Sequence, residues 1–463
     1  MLVVSGTILG IWEISVISCM FALGGMNYKN GVISVCPRQS NQLVFQHETY
    51  LPSEIFNHKN FRWLRKKLYS DEWPAGCDTC EDMEKNGLSS MRYDYPLNED
   101  NVFCKREPGI DPESAPIKLM DCYDAETHSV TFEGLRHFEY RFSTACNFSC
   151  LHCSKVYSSG WIKKLKNYEP DQEVIDYDIR QLLGTEHRHG PNDDNEMRLT
   201  TKQALEITED LIENFPYIEY IDFSGGELLW QKQFFPVLQK LAEHPNHKKI
   251  NISFHTNFNA NFDVAKLSEL LQPFRQSSIC ISIDAGKTFY DYFRNGGKWE
   301  KLKENINEFK KLNVINTDRS KIFVDVSCTT SIYQMFDIYD VFDSFFELGC
   351  HFDASIVQSP KYLDPSLIMY DFKEETLQDL KLTEEMVEKR ITTTIDYEEK
   401  KIALTAKFWL DYIAKYVKQT RVNYSAFNRW LIYRRKSDEL WGNAFNNYFQ
   451  NYKIVDDELV RVK

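Results

Sequence analysis

Three cysteines spaced C-x3-C-x2-C, at Cys146, Cys150 and Cys153, stand directly after the apolar-alternating run 137–143. Three thiolates can hold three corners of an iron–sulfur cube and leave the fourth iron open to another ligand. Thiolate is the soft donor that such clusters select, whereas structural zinc closes its tetrahedron with four protein ligands. The same spacing also fits half of a zinc site completed by His152 or a distant residue, or buried thiols acting as small apolar groups.

The elements that must position these thiols follow in the chain. Strand-like runs recur at 218–224, 250–256, 278–284, 321–328 and 351–357. Between them, apolar residues step by three and four, as at Ala204, Ile207, Leu211 and Phe215 and again at Trp299, Leu302, Ile306 and Phe309. That stripe lets a helix lie on a sheet. With the run before the cysteines this makes six strands alternating with helices, which predicts an α/β fold with a parallel sheet and right-handed crossovers. Ligands then belong at the carboxyl ends of the strands. The cysteine loop, Gly225-Gly226-Glu227, Thr256-Asn257 and the segment from Ser282 to Asp284 all fall at such ends. Paired glycines let a ligand approach the backbone, and a neighbouring carboxylate accepts hydrogen bonds from an ammonium group. Glycine pairs after strands are also ordinary turns, and Asn257, Ser282 and Asp284 have the alternative of satisfying turns or capping the next element. Cys280 and Cys328, mid-strand among apolar residues, read as buried and inert, and Cys350 likewise.

The segment 146–153, with His152 before its last cysteine and Gly225-Gly226-Glu227 downstream, resembles the cluster loop and methionine-gripping edge of radical S-adenosylmethionine (radical SAM) enzymes. The resemblance implies a partial (β/α)6 barrel over residues 136–360. It implies a 4Fe-4S cluster on Cys146, Cys150 and Cys153 that binds S-adenosylmethionine and cleaves it reductively to methionine and a 5'-deoxyadenosyl radical, which abstracts hydrogen from a substrate. His152, Gly225, Gly226, Glu227, Asn257, Ser282 and Asp284 would then lie around that cofactor.

Cysteines also pair near the start of the chain, at Cys19 and Cys36 and at Cys77 and Cys80. Asn30-Gly31 between the first two reads as a hairpin turn that brings strands bearing Cys19 and Cys36 together. Two knuckles of this kind suit a zinc ribbon. The pattern C-x11-G-x4-C, then C-x2-C, is also similar to the auxiliary-cluster module called SPASM, or twitch in its shortened form, here placed before the barrel. That likeness implies a second 4Fe-4S cluster over residues 1–100, able to accept an electron from a substrate radical, anchor the substrate or only stabilise the fold. An irregular connection at 101–135, holding Cys104 and Cys122, would precede the barrel, and a helical extension at 361–463 would follow it.

The chain has 463 residues, of which 43% are hydrophobic and 14% aromatic, enough for two or three domains with a sizeable core. A net charge of −13 disfavours a nucleic-acid partner. Twelve cysteines in a chain this long do not form a secreted disulfide framework, and cluster ligands stay reduced, so a cytoplasmic setting without a membrane partner is expected. Residues 1–18 are apolar but interrupted by Glu13, and read as strand leading into the cysteine module rather than a signal peptide. Ile402, Ala406, Trp409, Ile413 and Tyr416 mark a helix with a face to bury over the barrel or the cysteine module. Arg429, Arg434, Arg435 and Lys436 offer a basic patch for a partner instead. The expected activity is oxidation or crosslinking of a peptide or protein side chain, with an external flavodoxin- or ferredoxin-type reductant. The alternatives are a dehydrogenase of a carbohydrate-like small molecule and a non-catalytic iron–sulfur or zinc scaffold.

Overall fold

The computed structural model describes residues 19–29, 32–36, 39, 43–44, 50–85, 90, 119–153, 157–165, 198–315, 320–357, 360–419, 424–442, 444–449, 451–455 and 458–461. The expected strand at 1–18, the Asn30-Gly31 turn itself and Cys104 lie outside the described residues. The chain divides into two compact units, one of residues 1–140, 202–222 and 243–250, the other of 141–201, 223–242 and 251–463.

In the first unit, strands β1 (Gly25–Lys29) and β2 (Val32–Ser34) pair antiparallel with Lys29 opposite Val32. That register leaves two residues for the connection, as an Asn-Gly hairpin requires. Cys19 sits in no strand. It precedes a short helix, α1 (Met20–Gly24), whose Met20 and Phe21 pack with Leu119 and Tyr220, and this apolar demand turns the chain before β1 begins. With β3 (Leu43–Val44), β4 (His137–Arg141) and β5 (Tyr220–Phe223), the order is β3-β2-β1-β4-β5. Helix α2 (Lys59–Tyr69) buries Phe61, Leu64 and Leu68 together with Arg65. The Arg65 guanidinium donates to Ala22 O at 2.8 Å, Asn57 Oδ1 at 2.8 Å and Phe56 O at 3.0 Å, and burial pulls its pKa down. It thereby satisfies carbonyls that α1 and its surroundings leave open.

The second unit carries β6 (Asn251–Thr256), β7 (Gln276–Ser282), β8 (Ile322–Thr330) and β9 (His351–Ile356), adjacent in that order and all parallel. Helices Val264–Leu271, Trp299–Leu312 and Ile338–Leu348 lie between successive strands, as the three-and-four stepping predicts. Burial alternates strictly along β7 and β8, so one face is covered and the other stays partly open. This places Cys280 on the open face, half-buried and near Ser327, Asp325 and Asp353, with burial pushing its thiol up to about 12. Strand period overrides local composition here, because the apolar residues flanking Cys280 point the other way. Cys328 and Cys350 are buried, as expected.

Beyond the sheet, helices Lys373–Thr393, Tyr397–Gln419 and Tyr424–Trp441 precede a hairpin of β10 (Tyr452–Val455) and β11 (Glu458–Arg461). Ile402, Ala406 and Ile413 are buried. Arg434 is buried and paired with Asp438 at 2.7 Å, and Lys436 meets Glu439 at 3.0 Å, so these two cations belong to local pairs rather than to a free basic patch. Among the described residues no helix is long and apolar enough to cross a membrane.

Arg65→Met should destabilise the protein by about 3 kcal/mol in urea unfolding, because the buried carbonyls of Ala22 and Phe56 lose this donor. Asp337, which caps Ile338–Leu348 by accepting from Asp340 N at 3.1 Å, has its pKa pushed up to about 6 by burial and then by Asp340. A carboxyl raised in the folded state binds its proton more tightly there, so stability falls as pH rises from about 4 to 6. Asp337→Asn keeps the cap, and its urea midpoint should exceed that of the wild type by more at pH 7 than at pH 4.

Candidate active site

The cysteine loop has no regular structure of its own, so its backbone is held by side chains. Ser143 Oγ accepts Ala145 N at 3.1 Å, and Cys146 N donates to Ser159 Oγ at 3.1 Å. Phe148 N approaches Cys146 Sγ at 3.4 Å, Ser149 N donates to Asn295 O at 3.0 Å, and Cys153 N closes a turn on Cys150 O at 3.0 Å. Burial raises the Cys146 and Cys150 pKa values. Binding a metal must therefore displace their protons.

The two glycines beside the loop do specific work. Gly225 and Gly226 have φ of 89° and 58°. A Cβ on Gly226 would lie 2.2 Å from Ala145 O, and one on Gly225 would lie 2.4 Å from Arg141 Cγ. Only glycine permits that approach without displacing the neighbour. It lets Glu227 N donate to Ala145 O at 2.9 Å.

Glu227 is buried, and its carboxylate already serves the protein. Oε1 accepts Thr256 Oγ1 at 2.5 Å and Leu229 N at 3.0 Å, and Oε2 accepts Asn257 N at 2.6 Å. Four lone-pair sites minus three donors leaves one for a ligand. Burial raises the Glu227 pKa against these hydrogen bonds, the largest opposing one being from Thr256. Asn257 in turn donates to Asn147 Oδ1 at 2.8 Å, inside the cysteine loop.

Asp284 lies just past the end of β7 with φ 46°, a strained value for a residue with a side chain. Its Oδ1 accepts Thr329 N at 2.7 Å, its Oδ2 accepts Arg294 Nη1 at 2.7 Å, and its carbonyl accepts Gln334. Arg294 Nη2 also donates to Ser282 O at 2.7 Å. Burial opposes the Arg294 charge, but Cys150 and Asp284 together raise its pKa above the ordinary value. A fixed cation thus stands beside the thiols. His152 stacks on Phe293 at 5.1 Å, with Nε2 3.5 Å from Asp284 Oδ2 and a buried Nδ1 that no group among the described residues satisfies.

Gly225, Glu227 and Asn257 are thus hydrogen-bonded to the cysteine loop and Gly226 packs on Ala145, whereas Ser282, through its carbonyl, and Asp284 meet at Arg294 and approach the loop by the contact of Asp284 with His152. Sequence reasoning missed Gln231. It is buried, accepts Ser143 Oγ at 3.1 Å and donates to Ala145 O at 3.1 Å and Gly225 O at 3.0 Å, so one side chain joins the end of β4, the cysteine loop and the glycine edge. A glutamine four residues after Glu227 matches no motif, and its only signal is a polar residue following the apolar Leu228 and Leu229.

In the first unit, Cys19, Cys36, Cys77 and Cys80 line a single recess with Phe21, Val35 and other apolar residues. Cys77 precedes the helix Asp78–Lys85, and Cys80 lies in its first turn, with Cys80 N on Cys77 O at 3.1 Å. Burial, with Cys19 and Cys80 nearby, pushes the Cys77 thiol up to about 12. Among the described residues no three His, Cys, Asp or Glu side chains converge closely enough to share one metal ion. A single tetrahedral zinc needs its sulfurs roughly 4 Å apart.

Residues 140–326 match the family model described as the Radical SAM superfamily. No curated protein matches the chain. Among solved structures, the chain is similar to Streptococcus suis SuiB bound to S-adenosylmethionine, with 16% identity and a TM-score of 0.31 over 55% of this chain and 47% of that one. It is also similar to SuiB bound to precursor peptide SuiA, with 16% identity and a TM-score of 0.33 over 71% of this chain and 62% of that one. The chain thus spans about half the length of the first of these structures.

Gly226→Ala should cost about 2–4 kcal/mol, because it adds a strained φ to a clash with the Ala145 carbonyl. Gln231→Leu should destabilise the protein by about 2–4 kcal/mol in urea unfolding, since a buried side chain loses the three hydrogen bonds that set the glycine edge.

Proposed function

We propose, from the premise that residues 140–326 form a radical SAM domain, that the chain is a radical SAM enzyme which abstracts hydrogen from a polar substrate, a peptide or protein side chain, leading to oxidation or a crosslink. The observation that carries this reading is the hydrogen-bonded network joining the three-thiol loop to Gly225, Glu227 and Asn257, with the Asp284–Arg294 pair reaching the loop through the 3.5 Å contact of Asp284 to His152. When bound, a 4Fe-4S cluster on Cys146, Cys150 and Cys153 supplies the electron that cleaves S-adenosylmethionine to methionine and a 5'-deoxyadenosyl radical. The buried His152 Nδ1, which has no hydrogen-bond partner among the described residues, offers a polar contact to a ligand beside it.

The protein's own groups do the rest. Gly225 and Gly226 expose backbone at the loop, Glu227 keeps one acceptor site for an ammonium group, and Arg294 offsets negative charge gathered on Cys150. The open face of β6 to β9 carries Ser253, His255, Ser278, Cys280, Asp325, Ser327 and Asp353, and these strands hold no lysine or arginine. That face suits a substrate group that donates hydrogen bonds or carries positive charge.

Cys19, Cys36, Cys77 and Cys80 would hold a second 4Fe-4S cluster in the twitch-like unit, and four thiols would fill its irons, which favours electron transfer over substrate ligation. An external flavodoxin- or ferredoxin-type protein would supply electrons.

Anaerobic reconstitution tests the reading. Iron should reach about eight per chain and fall to about four when Cys146, Cys150 and Cys153 are replaced by alanine. The wild type should release 5'-deoxyadenosine after dithionite, and the triple variant none. Stoichiometric zinc with no nucleoside product would contradict it.

A further inference from the structure

We propose that Tyr433, on the helix Tyr424–Trp441 beyond the matched residues 140–326, is a positioning residue of the cysteine loop and makes the C-terminal helices part of the cluster site. This rests on the reading of that loop as a cluster site.

The turn from Cys150 to Cys153 carries two of the three thiols, and its polar backbone is buried and must find partners. Cys150 O accepts Cys153 N and also Trp161 Nε1, both at 3.0 Å. Leu151 N donates to Phe293 O at 2.9 Å. Leu151 O accepts the Tyr433 hydroxyl. The neighbouring Trp161 and two segments distant in sequence therefore fix one turn, and Tyr433 is the contribution from outside the matched domain. Its hydroxyl also lies within electrostatic reach of the Cys150 and Cys153 sulfurs.

Tyr433 is itself held in place. It is 4% exposed, and its ring packs 5.2 Å from that of Tyr362. One turn before it, Trp430 is fully buried, with its ring 5.3 Å from Phe336 and 5.9 Å from Tyr333. One turn after it, Asp438 accepts Tyr292 Oη at 2.9 Å and Arg434 Nη1 at 2.7 Å. Tyr292 and Phe293 share a short helix whose Phe293 stacks on His152 and receives Leu151 N. Helix and loop are thus clamped to the same four residues, Tyr290–Phe293. A hydroxyl placed this firmly fixes the turn that sets the span between the Cys150 and Cys153 sulfurs.

The test uses the full chain as wild type, Tyr433→Phe and Tyr433→Leu, reconstituted anaerobically. The phenylalanine variant keeps the ring and loses only the donor. It should match the wild type in circular dichroism, yet lose iron–sulfur absorbance in air about threefold to tenfold faster and show an altered EPR line shape for the cluster that responds to S-adenosylmethionine. In the metal-free protein, the Cys153 amide should exchange its hydrogen faster by a similar factor. A phenylalanine variant equal to the wild type in bleaching, line shape and exchange would overturn the proposal, whatever the leucine variant does, because packing alone would then account for the helix. A wild type that takes up no iron at this loop would instead contradict the radical SAM reading, and the exchange rates of the metal-free proteins would still decide the role of Tyr433.

Discussion

A loop that presents three thiols outside any helix or strand satisfies only part of its backbone internally, so the rest depends on hydrogen bonds from elsewhere. The rest of the second unit is arranged around that requirement. Gln231 reaches Ala145 and Gly225, Asn257 reaches Asn147, and Trp161 and Tyr433 reach Cys150 and Leu151. Gly226 makes the closest of these approaches possible. Charge is handled in the same place. Arg294, anchored by Asp284 and the Ser282 carbonyl, is the buried cation nearest in effect to Cys150, and thiolates removed from water need such a counter-charge.

The first unit solves a related problem by other means. Its four cysteines come from a helix start, the residues after a hairpin strand, and a second helix start, and they meet around a recess walled by apolar side chains. Arg65 stiffens the wall by occupying three acceptors near α1 and α2, which explains why a guanidinium is buried with no carboxylate among its hydrogen-bond partners.

Much of this was legible in the sequence. The six strands fall within a few residues of the apolar runs, because strand and helix periods leave a strong imprint on residues that face a core. The cysteine spacing and the glycine pair were legible because their chemistry leaves few other uses. Long-range polar partners were not. Nothing near Gln231 or Tyr433 announces that their partners lie 86 and 282 residues away. Glu227 illustrates the same limit, since a carboxylate suited to an ammonium group is equally suited to two backbone amides and a hydroxyl, and only the fold brings Thr256 and Asn257 to it. Cys280 is less buried than its sequence neighbours suggest, because those apolar residues point to the opposite face of the sheet.

The proposed function requires that the loop at Cys146, Cys150 and Cys153 hold a cluster with one iron open to S-adenosylmethionine. Electron–nuclear double resonance on the reduced protein, with S-adenosylmethionine labelled by 15N at its amino group, tests it directly. The account predicts a 15N hyperfine coupling that disappears when Cys150 is replaced by alanine. A cluster signal at this loop with no coupling to the label, or no cluster signal at all, would contradict it.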